Sequence, residues 1–295
     1  MSETNREKRQ FGDRRDAWLV RDMDGLHRMF LYVFPKRTEA EVSLTESIDV
    51  TELLKFIREE NEEKDLNLKF FHAFVTAVAK TAHMRPKLNW FISGKRYWHR
   101  KELSLSFIVK REFADGSEES MLVLNAKPEL TLYDISKIIL GDSSKLRKAG
   151  HNSMDDLLDR VGRLPRWALS ILFFVLNRLE YHGIMPEALT DGDMNYSSIM
   201  LSNLGSIRCE PPYHHLNNYG TCSMMITIGT IHREMVYDEN GTGTMRDMVN
   251  VCVTADERIA DGFYFAKSIR LLKYIIAHPQ LLCEPVGKAV EDYKD

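Results

Sequence analysis

Two spacings of apolar residues, one near two and one near three and a half, take turns along this chain and lay out most of its elements. Met29 to Phe34 reads MFLYVF, an unbroken apolar run stopped by Pro35, and is expected to be a strand. Glu41 to Ile48 alternates loosely through Val42, Leu44 and Ile48, with Thr45 and Ser47 between them, as a strand with one polar side would. Asp49 is placed to cap a helix from Thr51 to about Glu60, with Leu53, Leu54 and Ile57 as its apolar stripe. A charged turn, Glu59 to Asp65, then leads to a second helix, Leu68 to His83, in which Phe71, Phe74, Val75, Val78 and Ala82 keep a helical period. Pro86 breaks the chain after it.

Short strands are expected at Leu88 to Ile92, Arg96 to His99, Leu103 to Val109 and Glu119 to Leu124, the first two separated by Ser93-Gly94. The middle, Leu132 to Leu179, reads as mostly helical. Its first part is polar and amphipathic, carrying Lys145, Arg147, Lys148, Asp155 and Asp156, and an apolar run follows Pro165. Ser198 to Asn203, Met224 to Thr230 and Met248 to Ala255 (MVNVCVTA) are strand-like, and Phe263 to Ile276 is an amphipathic helix through Phe265, Ile269, Leu272 and Ile276. Strands and helices interleave without a strict βαβ repeat, so the expected fold class is α/β, a two-layer sandwich built around a mixed β-sheet.

The run Trp167 to Leu176 reads WALSILFFVL and is far shorter than the roughly 20 apolar residues that span a bilayer. A buried or interface helix is the first expectation. A lid or channel wall for a hydrophobic acyl substrate, and a shallow contact with a membrane, are the alternatives.

Composition narrows the function classes. Forty basic against 43 acidic residues give a net charge of -3, so nothing global attracts nucleic acid or an anionic membrane. The four cysteines, Cys209, Cys222, Cys252 and Cys283, form no CxxC pair and suit free thiols in a reducing cytoplasm. The N-terminal stretch MSETNREKRQFGDRRD is charged throughout, so a flexible arm over 1–14 is expected rather than a signal peptide, followed by a single domain over 15–284 and a tail over 285–295. Neither GxGxxG nor GxxxxGK[ST] occurs, and the GTGT at 241–244 reads as a hairpin or loop.

The segment with the clearest chemical promise is DERIADG, Asp256 to Gly262, lying between a strong strand and an amphipathic helix. Side chains at such a junction are held by rigid elements on both sides. Asp261 is placed to cap the following helix and Gly262 to permit a tight turn. Glu257 and Arg258 are neighbours that point differently in extended chain, so they need not pair. On the residues alone, a capped turn with a surface glutamate remains open beside a functional loop.

The segment resembles the HxxxDG signature of the chloramphenicol acetyltransferase and 2-oxo acid dehydrogenase E2 catalytic-domain superfamily, often DHRxxDG in the E2 branch. Three other stretches agree in order and spacing: Ile48-Asp49-Val50-Thr51 with Leu53-Leu54; Phe70 to Asn89, ending RPKLN; and Leu201-Ser202-Asn203-Leu204-Gly205 with Ile226 to Gly229 downstream. The resemblance covers roughly residues 15 to 280, with 135–190 enlarged and no lipoyl or subunit-binding domain. It implies a coenzyme A-dependent acyltransferase with no covalently bound cofactor, coenzyme A or acyl-CoA as substrate, and a small thiol or hydroxyl compound as acceptor. It further implies a homotrimer with active sites between protomers, and neither nucleic acid nor a transmembrane segment.

In that family a histidine is the general base, an aspartate makes a structural ion pair with an N-terminal arginine, and a serine or threonine across the interface donates to the oxyanion. Carried onto this sequence, the resemblance puts Glu257 at the base position, Asp261 at the structural aspartate and Ser202 at the oxyanion donor, with Ser198 as the other choice. Arg28 is the nearest partner for Asp261 by spacing, and Arg21 and Arg37 are rivals. A glutamate titrates near 4.3 and a thiol near 8.5, so the gap between them is about 4 units, or about 5.7 kcal/mol, against about 2 units for histidine. Burial that raises a glutamate to about 6 or 7 would narrow it.

His214 and His215, in the loop after Pro211-Pro212-Tyr213, are candidates for a displaced base, an anion contact or a simple turn. His214, His215, Glu257 and Asp256 are metal-ligand types, but their spacing matches no metal motif. The glutamate at 257 also leaves a second expectation, a catalytically inactive relative that acts as a trimeric binding or scaffold protein.

Overall fold

The computed structural model describes residues 8–110, 119–149 and 160–293. A six-stranded mixed sheet organises them in the order β2-β9-β8-β7-β5-β6, where β2 is Glu41–Asp49, β5 Ser104–Lys110, β6 Glu119–Asn125, β7 Ile199–Asn203, β8 Met224–Tyr237 and β9 Gly243–Asp256. The β5–β7 and β7–β8 pairs are parallel and the other three antiparallel. A small second sheet, β1-β4-β3, is made by β1 Ala17–Leu19, β4 Arg96–Arg100 and β3 Trp90–Ser93.

One face of the large sheet carries the helices α2 (Thr51–Lys64), α3 (Phe70–Met84), α4 (Leu132–Ala149) and α6 (Gly262–Ala277). Period-two alternation decides that face: Val249, Val251, Val253 and Ala255 of β9 and Ile226 and Ile228 of β8 point into the helix layer. The central helix α3 packs on α2, α4 and α6, and eleven of its residues, from His72 to Ala82, are buried. The opposite face is roofed in part by the chain from 208 to 223. There Leu216 and Cys222 join Met200 and Met225 in a smaller apolar cluster. This double cover explains why the C-terminal half of β9 is buried on both faces.

The motif glycines have a packing reason. A Cβ on Gly205 would lie 2.2 Å from the carbonyl oxygen of Gly229, so the turn after β7 presses directly on the β8 backbone.

The expected strands β2 to β9 and the helices α2, α3 and α6 form, with altered lengths. The helix α2 runs on to Lys64 through most of the supposed charged turn, and Asp49 accepts from the Thr51 N–H at 2.9 Å. The strands β8 and β9 extend into a long hairpin whose turn holds Gly241.

Met29 to Phe34 is not a strand. A helix, α1 (Gly25–Val33), spans most of it, because Asp24 caps it through the His27 N–H at 3.0 Å. Leu31 is its buried residue, so continuous apolarity was a poor guide there.

The helix α5, Arg166–His182, contains the apolar run, and none of its residues is buried, so the buried half of the expected buried or interface helix does not hold. Within the segment expected to be helical, residues 150–159 lie outside the described residues, with Asp155 and Asp156 among them. The packed body also reaches past the boundaries 15–284: Asp13 and Arg14 are buried at one end, and Val286 and Val290 join the core at the other.

Candidate active site

The strand β9 ends at Asp256, paired with Glu41 of β2, and the chain turns there into α6. Asp256 and Arg258 both fold inward and are almost fully buried. They form a two-pronged pair, Arg258 Nε to Oδ1 at 2.8 Å and Nη2 to Oδ2 at 2.7 Å. Arg258 Nη1 also donates to the Phe34 carbonyl at 2.7 Å, tying the loop to the end of α1. Arg37 lies on the far side, its Nε 3.8 Å from Asp256 Oδ2 and Nη2 donating to the Gly220 carbonyl at 3.2 Å. Its Nη1 donates to the Asn217 carbonyl, and burial lowers the Arg37 pKa although Asp256 opposes the shift. Two buried arginines thus share one buried carboxylate, a costly arrangement that holds only while every partner is present.

Glu257 sits between these inward side chains and is exposed. Its backbone N–H donates to the Ala40 carbonyl at 2.8 Å, so the peptide is pinned while the side chain projects. Asp261 caps α6 by accepting from the Tyr264 N–H at 2.7 Å. Gly262 has room for a Cβ and no positive φ, so the turn does not need its freedom.

Asp261 and Arg28 are engaged elsewhere and do not form the expected pair. Asp261 faces the helix N-terminus, and Arg28 donates to the Arg21 carbonyl at 3.1 Å. Of the rival arginines, Arg21 lies 3.3 Å from Asp13, and Arg37 reaches this loop through Asp256. The buried Asp256–Arg258 pair was not anticipated. Its signal was the D-E-R alternation, which sends the first and third side chains to one side and the second to the other.

Ser198 is buried and fully employed, donating to Asn89 Oδ1 at 2.6 Å and accepting from the Ser104 N–H at 3.0 Å. Asn89 is the last residue of RPKLN, so this motif is tied by the bond to the start of the strand that carries Leu201 to Gly205. Ser202 is half-buried and lies in a cross-sheet row with Thr227, Cys252 and Thr45. That row is four residues along β9 from Asp256, about 13 Å at 3.3 Å per residue, and two strands across, about 10 Å. Within one chain Ser202 and the Glu257 loop are therefore about 16 Å apart and not brought together.

The loop carrying the histidines crosses the open face beside this row. The Thr227 hydroxyl donates to the Pro212 carbonyl at 3.0 Å, and the Thr45 hydroxyl to Tyr213 Oη at 3.2 Å. The Leu216 N–H donates to Glu41 Oε2 at 2.9 Å. Because Glu41 faces Asp256 in register, this last bond sets His215 at the same end of the sheet as Glu257. His214 and His215 are both exposed, with ring centres 5.0 Å apart. Among the described residues no group of three or more His, Cys, Asp or Glu is placed to hold a metal ion.

On the buried side of the loop a cleft of about 230 Å³ is lined by Arg37, Arg258, Asn218, Tyr219, Tyr196 and Glu180, among others. Arg37 Nε makes no hydrogen bond with the described residues, leaving a buried donor at the cleft. A polar or anionic small molecule entering here would meet cationic nitrogen, amide and phenol groups.

Residues 184–284 match the model of a family described as 2-oxoacid dehydrogenases acyltransferase (catalytic domain). The match begins just after α5 and takes in β7, β8, β9, the DERIADG loop and α6. A curated relative, the lipoamide acyltransferase component of the branched-chain alpha-keto acid dehydrogenase complex of Bacillus subtilis, is 23% identical over 250 residues, 82% of this chain. The aligned region is only 48% of that relative, so this chain spans about half its length.

The dihydrolipoamide acetyltransferase of Azotobacter vinelandii, solved in work on the role of a serine, a histidine and an asparagine in its catalytic mechanism, has the same fold. It superposes with a TM-score of 0.60 at 15% identity, over 89% of this chain and 93% of that one. The truncated catalytic core of the 2-oxoacid dehydrogenase multienzyme complex from Thermoplasma acidophilum matches with a TM-score of 0.54 at 17% identity, over 88% and 98% of the two chains.

Proposed function

We propose that this chain, whose residues 184–284 match the 2-oxoacid dehydrogenases acyltransferase (catalytic domain) family, transfers an acyl group from a coenzyme A thioester to a small thiol or hydroxyl acceptor, with Glu257 in the place of the family's histidine base. The observation that carries this reading is the presentation of residue 257. Asp256 and Arg258 lock the backbone from within, Asp261 caps α6, and the side chain between them is left projecting at the end of β9.

In the proposed step the Glu257 carboxylate takes the proton from the acceptor's S–H or O–H as that atom attacks the thioester carbonyl. The tetrahedral intermediate then collapses, expelling coenzyme A as a thiolate that takes the proton back from Glu257. Ser202 donates a hydrogen bond to the oxyanion. Since it lies about 16 Å from Glu257 within one chain, this role requires a site between protomers, as in a homotrimer. His215, set at the same sheet end, is the second candidate for the base, with His214 beside it.

A second reading is favoured by the chemistry of Glu257 itself. A carboxylate is a weak base toward a thiol and carries a negative charge that opposes the developing oxyanion. On that reading the chain is an inactive relative that keeps the fold as a trimeric binding or scaffold protein.

Incubating the purified chain with acyl-CoA donors and a panel of thiol and alcohol acceptors, and following thiol release, separates the readings. Glu257→Ala should lower turnover by at least about 100-fold, and Ser202→Ala by about the same factor, as for one lost oxyanion donor. Full rates in both Glu257→Ala and His215→Ala would remove both base assignments. Activity that appears only in Glu257→His, or an absence of acyl-CoA binding by calorimetry, would favour the scaffold reading.

A further inference from the structure

The helix α5 is apolar on nearly every side, yet the described chain covers only one of them. Leu169, Leu172, Leu176 and Leu179 face the body and are half-buried. The outward stripe is Trp167, Ile171, Phe174, Arg178 and Tyr181, spaced four, three, four and three. Trp167 is 70% exposed, Phe174 66% and Ile171 57%, with Ile184 beyond the helix end at 63%. A contiguous apolar surface of this kind marks a place where something docks.

The charges around it identify what docks. From 160 to 179 the charged residues are Arg160, Arg163, Arg166 and Arg178, all exposed, and no carboxylate interrupts them. The next acid after the run, Glu180, is paired from within by Arg14 at 2.6 Å and accepts from the Ser93 hydroxyl at 2.8 Å. Seventeen residues with Arg166 at the start and Arg178 on the outward stripe are too short and too charged to cross a bilayer, and no helix among the described residues is long and apolar enough to do so. The same pattern suits a helix lying flat in a headgroup layer, with aromatic and aliphatic side chains below and arginines reaching up to lipid phosphates. Two copies of this face packed on each other would instead bring arginines together, and the one carboxylate of the helix, Glu180, is already paired with Arg14.

We propose that α5 is a membrane-surface anchor that seats this protein on an anionic phospholipid bilayer. The anchor is independent of the acyl-transfer reading and stands or falls separately from it. The mode of attachment of α5 agrees with the proposal. A few contacts hold it to the body: the Arg14–Glu180 pair, the Phe173–Tyr219 ring contact at 5.6 Å, and the backbone at Tyr181 close against Gly94. These lie on its inner side or at its C-terminal end, leaving the stripe outward.

The test is flotation of the full chain with vesicles of phosphatidylcholine alone and of phosphatidylcholine mixed with phosphatidylglycerol, alongside light scattering without lipid. The wild type should float with the mixed vesicles, and added salt should release it. The paired substitution Trp167→Glu and Phe174→Glu should reduce binding at least about ten-fold, and each of Arg163→Gln and Arg166→Gln about five-fold. Circular dichroism of each variant should match the wild type, since all four side chains are exposed. Failure of the wild type to float with mixed vesicles overturns the anchor. So does equal flotation with both vesicle types that ignores the arginine substitutions. A wild type that does not float, with an oligomeric mass that drops in the Trp167→Glu, Phe174→Glu variant, would make the stripe an interface between copies of this chain.

Discussion

The helices α3 and α5 are both rich in apolar residues, and only α3 is inside. In α3 the buried positions include Ala73, Ala77, Ala79 and Ala82, whose small side chains let neighbouring helices approach, with Phe74 filling the space between them. In α5 the side chains are bulky, the flanks are arginine, and no position is buried. Apolarity along a helix says that a surface will be covered. The size of the side chains and the sign of the flanking charges say by what.

The comparison can be broken most forcefully at Phe74. Phe74→Ala should cost about 3–5 kcal/mol in urea denaturation, because the surrounding core cannot close the cavity. A loss below about 1 kcal/mol would mean that α3 is not the packing centre.

A second, smaller effect comes from acid. His72 of α3 is buried, and its Nδ1 accepts from the Lys69 N–H at 3.3 Å and lies 2.9 Å from the Ser136 hydroxyl, an arrangement that suits the neutral ring. Burial, with a lesser push from Lys69, lowers its pKa to about 4 from the ordinary 6.5. Between those values the unfolded chain binds the proton more readily, so stability falls as pH drops from about 6.5 toward 4. The contribution lost is about 3 kcal/mol, and denaturation midpoints across that range should show it. His72→Gln should reduce the slope and leave the part due to His99, whose pKa burial also lowers to about 4, and to His83.

The smallest effect sharpens the contrast. Phe174→Ala on the outward stripe should change stability by less than about 0.5 kcal/mol. A loss comparable to that at Phe74 would show α5 covered in the isolated protein.

Much of the architecture could be read from residue order, because strands with a polar side and helices with a stripe carry their burial in their spacing. The run MVNVCVTA was legible as a strand, and Asp261 as a helix cap, for that reason. MFLYVF was misread because its apolar residues are continuous, and the deciding signal lay outside the run, in the capping aspartate Asp24. WALSILFFVL misled in a related way: its chemistry fits an interior, but the interior was already filled by α2, α3, α4 and α6.

The site was legible as a loop and less so as a geometry. The Asp256–Arg258 pair had a local signal in the D-E-R alternation, but that it would draw Arg37 from 219 residues away in sequence depends on β2 and β9 meeting edge to edge, which no local pattern encodes. The separation of Ser202 from Glu257 is likewise a property of strand order.

The locked backbone around Glu257 has one more consequence. The atoms that fix this loop belong to residues 256, 258 and 261 and to the Glu257 peptide N–H, and none belongs to the side chain at 257. Position 257 is therefore an interchangeable part in a finished socket. A different acid or base can be exchanged there without rebuilding the fold, so a lineage could gain or lose chemistry at this one residue while its stability stays constant.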